Sequence, residues 1–214
     1  MPRRYKSPLR QEQAQQTRLS IIEAALAMFL ENGYSQTSIR EIASAAGVAE
    51  RTVYVTFQDK PSILTAIADH AFYGGSQDGE GEAEFIRAME TITEPRERLR
   101  LCIRQASAGF EQGMAALGRM VAGAAISDTR LEKFAAEMVD RRHTGTRAFM
   151  SMILGSALPD EPQYERMVDE LEAITSEELY WILAVERGWP SDTYEQYVAD
   201  MVTATLSRYG LDLI

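Results

Sequence analysis

One cysteine, Cys102, and two histidines, His70 and His143, are all that this 214-residue chain offers of the usual soft metal ligands. A lone cysteine excludes an internal disulfide and a cysteine-built zinc site, and it fits a reducing, cytoplasmic setting. No apolar run reaches the roughly 18 residues needed to cross a bilayer, so no membrane partner is expected. The basic start, "MPRRYKSPLRQEQAQQTR", is followed by no apolar stretch and does not read as a secretory signal. Strand-like alternation is missing as well. Neither a nucleophile motif nor a glycine-rich phosphate loop after a strand is found. No Glu-x-x-His pair, as a di-metal helical bundle requires, occurs. Neither a catalytic residue, a metal nor a cofactor is expected.

What is there is helical pattern from end to end, with 45% apolar residues to build a core. The charge is uneven. Residues 1–60 carry eight basic and six acidic side chains, net +2, whereas the remainder carries fourteen and twenty-six, net −12. A basic front on an acidic body points to two tasks in one chain.

The front is the more informative part. "RLSIIEAALAMFLENGY" places Ile22, Leu26, Phe29 and Leu30 on one helical stripe that stops at Asn32-Gly33. "SIRE" reads as a capping box, with Ser38 and Glu41 as its two members. A short helix follows, then Gly47, then a third helix over about 50–57. Asp59 and Pro61 suit the start of a fourth. A small residue at Ala43, a corner at Gly47 and buried contacts from Ile42, Val48 and Val53 make a helix-turn-helix, whose second helix enters a DNA major groove.

The stretch "TSIREIASAAGVAERTVYVTFQDK" resembles the N-terminal motif of the tetracycline-repressor (TetR) family of bacterial transcription regulators. The residues that carry the resemblance are Thr37-Ser38, Ile42-Ala43, Ala46-Gly47-Val48, Thr52-Val53-Tyr54, Phe57 and Lys60, following Asn32-Gly33-Tyr34. It is strong over residues 17–70. It implies a homodimeric DNA-binding repressor of all-α fold, with an N-terminal three-helix DNA-binding domain and a C-terminal helical domain for ligand binding and dimerisation. It also implies roles: Arg40 and Thr52 toward base edges, Arg51 and Tyr54 toward bases or phosphates, and Ser38, Thr56 and Lys60 toward phosphates. The chemistry fits those roles, since arginine pairs with a guanine edge while hydroxyls and lysine hold phosphate. Two positions depart from the pattern. Ala49 stands where Ser or Thr often caps the recognition helix, and Glu50 follows it. Glu50 either accepts from a cytosine amino group or weakens binding.

The expected division is a basic flexible arm over 1–16, a helix-turn-helix domain over 17–62, and an effector-binding and dimerisation domain over 63–214. Arg3, Arg4, Lys6 and Arg10 are placed before the first helix. "GGSQDGEG", 74–81, is the clearest loop. One short recognition helix reads too few base pairs, so two copies on a two-fold operator are expected. The last two helices are the candidates for the dimer, through Leu183, Tyr194, Val198, Met201, Val202 and Thr205. The middle helices are rich in methionine and aromatics. Phe85, Met89, Phe110, Met114, Met120, Phe149 and Met152, with Trp181 as a wall, are candidates to line a site for a small apolar effector. The alternatives are an all-helical ligand-binding or metal-carboxylate enzyme, and a partner-binding helical protein with a vestigial DNA domain.

Overall fold

The computed structural model describes residues 8–74, 80–126, 129–155 and 158–213, and among these every regular element is a helix. None of the helices is long and apolar enough to cross a membrane. By contacts the chain divides into two units, Met1–Glu82 and Ala83–Ile214.

The first unit holds α1 (Pro8–Asn32), α2 (Ile39–Ala45), α3 (Glu50–Phe57) and α4 (Lys60–Tyr73). Arg10 stands on α1, so it is part of the first helix and does not precede it. Arg3, Arg4 and Lys6 lie outside the described residues, as do 75–79 of the expected loop. The buried stripe of α1 is Ile21, Ile22, Ala25 and Phe29. Of the expected stripe, Leu26 is half-buried and Leu30 is 42% exposed. The inward face therefore runs through 21, 25 and 29, one turn apart at each step. Against it lie Ile63, Leu64 and Ile67 of α4, all but fully buried. Each such side chain contributes about 1.5–3 kcal/mol of burial.

The corners are set by local chemistry. Gly33, at φ 80°, ends α1, and its N–H donates to the Phe29 carbonyl at 3.0 Å. Ser38 and Glu41 form the expected capping box: the Glu41 N–H donates to Ser38 Oγ at 3.2 Å, and the Ser38 N–H donates to Glu41 Oε2 at 2.8 Å. Gly47, at φ 68°, donates to the Ser44 carbonyl, while Val48 N–H reaches back to that of Ala43 at 2.9 Å. This crossed pair closes α2 and turns the chain into α3. Between α3 and α4, Gln58 sits at φ 64° and ψ −52°, with the Asp59 N–H 2.6 Å from the Phe57 carbonyl. That is a γ-turn on the unfavourable side of φ. Asp59 then caps α4 by accepting from the Ser62 N–H at 2.8 Å.

In the second unit, whose first helix begins at its border, the order is α5 (Glu80–Thr91), α6 (Pro95–Gly109), α7 (Ala115–Ala125), α8 (Thr129–Leu154), α9 (Glu161–Ile174), α10 (Glu177–Tyr180) and α11 (Ser191–Arg208). Trp181–Glu186 continues a helix with the wider π spacing, whereas Phe110–Met114 joins two helices across a kink. At the kink Gly113 stands at φ 110°. The pattern over 164–186 reads as one helix, yet the structure breaks it. Thr175 ends α9, and Ser176 starts α10 by accepting from the Leu179 N–H at 3.2 Å. The core is formed by Met89, Leu131, Met167, Leu171 and Leu206, joined by Tyr194. Tyr180 stacks edge-on to Tyr194 at 5.1 Å and lies 5.2 Å from the Phe110 ring. Cys102 is half-buried beside Met89, and burial pushes its thiol up to about 12. A thiol so held carries almost no thiolate at neutral pH and makes a poor nucleophile.

Candidate nucleic-acid interface

Helix α3 is eight residues long and buries only Val53 and Phe57. At about 100° of turn per residue, these two side chains occupy one edge of the helix and leave the rest outside. Arg51 and Glu50 are exposed, and Tyr54 is 48% exposed. Thr52 and Thr56 are half-buried on the flank, and the Thr56 hydroxyl donates to the Thr52 carbonyl at 2.8 Å. Ala49 begins the helix with no side-chain cap, leaving the first N–H groups of α3 without that partner. The guanidinium of Arg18, from α1, lies 4.5 Å above the Phe57 ring and covers the inner edge.

Helix α2 brings up Arg40, exposed, and Ser38, exposed at its cap. The Ser38 hydroxyl is already engaged, donating to Glu41 Oε2 at 2.6 Å. The hydrogen bonds from the Ser38 hydroxyl and backbone hold the Glu41 carboxyl below the usual carboxylate range.

Lys60 has a position that its sequence does not announce. Its Nζ donates to the carbonyls of Tyr34 at 2.8 Å and Thr37 at 2.7 Å, and lies 4.2 Å over the Tyr34 ring. Thr37, buried, directs its own hydroxyl to the carbonyl of Gly33 at 2.9 Å. The start of α4 thus ties down the loop that delivers Ser38 and Arg40.

One outward residue was missed by chemical type. Val55 is 76% exposed in the middle of α3. The signal was available in the spacing: it stands two residues from both Val53 and Phe57, on the opposite edge of the helix.

The candidate effector residues all lie in the second unit. Phe85 and Phe149 meet edge-on at 5.4 Å. Met89 is fully buried. Phe110 lies on Tyr180, and Trp181 lies under the guanidinium of Arg119 at 4.7 Å. Met114, Met120 and Met152 are half-buried.

The candidate dimer residues need correction. Tyr194, Val198, Val202 and Thr205 are at most 2% exposed within their own chain, so they face the unit's core and have no surface left for a second copy. Leu183 is half-buried, and only Met201 stands outward, at 38%. The apolar side chains that do face out here are Ile182, Val185, Tyr197 and Met201.

Residues 21–67 match the model of "Bacterial regulatory proteins, tetR family". The HTH-type transcriptional regulator AcrR of Shigella flexneri is 35% identical over 105 residues, covering 41% of this chain and 47% of that protein. The HTH-type transcriptional repressor BepR of Brucella suis biovar 1 is 41% identical over 59 residues, 28% of each chain. The matched stretches span less than half the length of these relatives. A solved structure of the fatty acid degradation regulator FadR from Bacillus halodurans shares the fold, with a TM-score of 0.63 at 19% identity, over 86% of this chain and 96% of that one. The matching family and relatives are regulatory proteins, not enzymes. Residues 21–67, within the N-terminal unit, thus form a domain of the bacterial tetR family of regulatory proteins.

Proposed function

We propose that the chain is a DNA-binding transcriptional regulator: a homodimeric repressor that holds a two-fold operator through α3 and releases it when a small apolar ligand binds the second unit. The observation that carries this reading is α3 itself. It is fixed by two buried side chains and presents Arg51, Tyr54 and Glu50 outward from a closed turn. Arg40 and Thr52 face base edges in this reading, with Ser38, Thr56 and Lys60 at the backbone. The functional division is a DNA domain that takes in α1 from Pro8 and runs to residue 62, and an effector and dimer domain over 63–214, in a cytoplasmic protein. The half-buried methionines and aromatics of the second unit support an adaptable apolar site. The outward Ile182, Val185, Tyr197 and Met201 support pairing of two copies.

The experiment is footprinting on the DNA flanking the chain's own gene, with wild type and Arg51→Ala. A protected inverted repeat is expected, and Arg51→Ala should weaken it by about 1–3 kcal/mol with relaxed preference at one position. Equal protection of all sequences at moderate salt would sink the reading. For the dimer, Met201→Asp with Tyr197→Asp should shift sedimentation from two copies to one. An unchanged dimer would move the interface elsewhere.

A further inference from the structure

The outermost point of α3 is neither an arginine nor a hydroxyl but Val55. Val53 and Phe57, the two buried residues of the helix, each lie two positions away, about 200° of rotation. Val55 is therefore diametrically opposite the face that holds the helix to its unit, and it is 76% exposed. A β-branched residue is a poor helix former, and this one buries little surface to offset that. Arg51 stands one turn before it and Thr52 three residues before it, on either side of the same outer face.

We propose that Val55 is a specificity-determining residue that reads the C5-methyl group of a thymine in the major groove. The inference rests on the DNA-reading role proposed for α3. A helix that enters the groove by the face opposite its anchor brings its central outward residue nearest the base edges. A valine there has no polar atom with which to read a donor or acceptor. The one apolar group that a standard base pair shows in the major groove is the thymine methyl. Val55 contacts that methyl, while Arg51, one turn away, is placed for a neighbouring polar edge. A thymine is thus expected in each half-site at a position where a cytosine, equal in ring but lacking the methyl, is rejected.

The test uses the full chain and synthetic duplex DNA enriched by selection from a random pool. Each thymine of the selected half-site is replaced in turn by deoxyuridine, which removes only the methyl. One position per half-site is expected to lose about fourfold in affinity, the worth of one buried methyl-sized group. With Val55→Ser, uridine and thymine at that position should bind alike. A third arm places 5-methylcytosine, paired with guanine, at the same position. It should bind about fourfold tighter than unmodified cytosine there, because it returns only the methyl that Val55 meets. Equal binding of cytosine and 5-methylcytosine would overturn the methyl contact. Overturning also follows if no uridine has an effect, or if Val55→Ser keeps the full discrimination. Those results leave sequence-specific binding standing. If selection enriches no sequence at all, the DNA-reading role of α3 fails, and this proposal with it.

Discussion

In the first unit, the starts of α2 and α4 find polar partners close by, while α3 begins at Ala49 without one. Ser38 pairs with Glu41, Asp59 with Ser62, and Gly33 and Gly47 turn the chain so that carbonyls are met. The long-range polar tie, Lys60 to the carbonyls of Tyr34 and Thr37, fastens a loop and crosses the unit. The second unit is different. Among the described residues, its buried Ser107 hydroxyl and Arg142 Nε find no hydrogen-bond partner, and its helices are interrupted by a kink at Gly113 and by π spacing over Trp181–Glu186. Irregular helix spacing and unpaired buried polar atoms are tolerated where something other than stability is being served. The contrast is between a unit whose corners are closed by local hydrogen bonds and a unit whose helices are interrupted. That is the arrangement wanted if one end must present a rigid shape to DNA and the other must accommodate a guest.

Four perturbations test the contrast. The largest effect is expected from Lys60→Met. It removes two charge-assisted hydrogen bonds, leaving the Tyr34 carbonyl with only the Thr37 N–H at 3.3 Å, and should cost the first unit about 3 kcal/mol. Amide exchange at 34–41 should rise by more than a hundredfold. The same variant separates a structural lysine from a phosphate clamp. A salt dependence of DNA affinity unchanged from wild type fits the carbonyl seat, whereas a slope lower by about one unit per subunit identifies a phosphate contact.

Next is Ser107→Ala in the second unit. Removing a buried hydroxyl that has no partner should be neutral or raise stability by about 1 kcal/mol, read by urea denaturation. A loss of that size would reveal a bond the hydroxyl makes and would weaken the contrast. Gln58→Gly comes third. It relieves a positive-φ turn at the expense of a more flexible unfolded chain, for a net gain of about 0.5 kcal/mol in thermal denaturation. An unchanged or lower melting temperature would show that the turn carries no strain.

The smallest effect is that of pH on the capping box. The Glu41 carboxyl titrates below its ordinary value because Ser38 donates to its charged form. Its contribution is therefore complete above the ordinary carboxylate value of 4.5 and is lost as pH falls through the lowered one. Carboxyl-directed NMR should show Glu41 titrating below the ordinary carboxylate value of 4.5. Glu41→Ala should remove the acid dependence of α2.

The corners of the first unit were readable because caps are local. Ser38 and Glu41 are three residues apart, and a glycine past a helix end needs no distant partner to be recognised. The seat of Lys60 was not, because its acceptors lie 23 and 26 residues back and are backbone atoms that carry no side-chain signature. In α11 both faces are apolar: Tyr194, Val198 and Val202 on one, Tyr197 and Met201 on the other. Periodicity alone does not say which one meets the core. The break at Thr175 and Ser176 was hidden for a related reason, since apolar spacing continues across it. Val55 carries no polar signature of a DNA contact, and only the geometry of the helix singles out its position.

The economy of α3 also bears on how such a protein changes over generations. Two of its eight residues hold it in place, and they stand a single turn apart. A substitution at most of the other positions alters what the helix meets without loosening the helix itself. New preferences can then be sampled one codon at a time, each variant still folded well enough to be tried. If α3 reads DNA as proposed, the burden falls on the DNA sites, which must drift along with the helix that reads them.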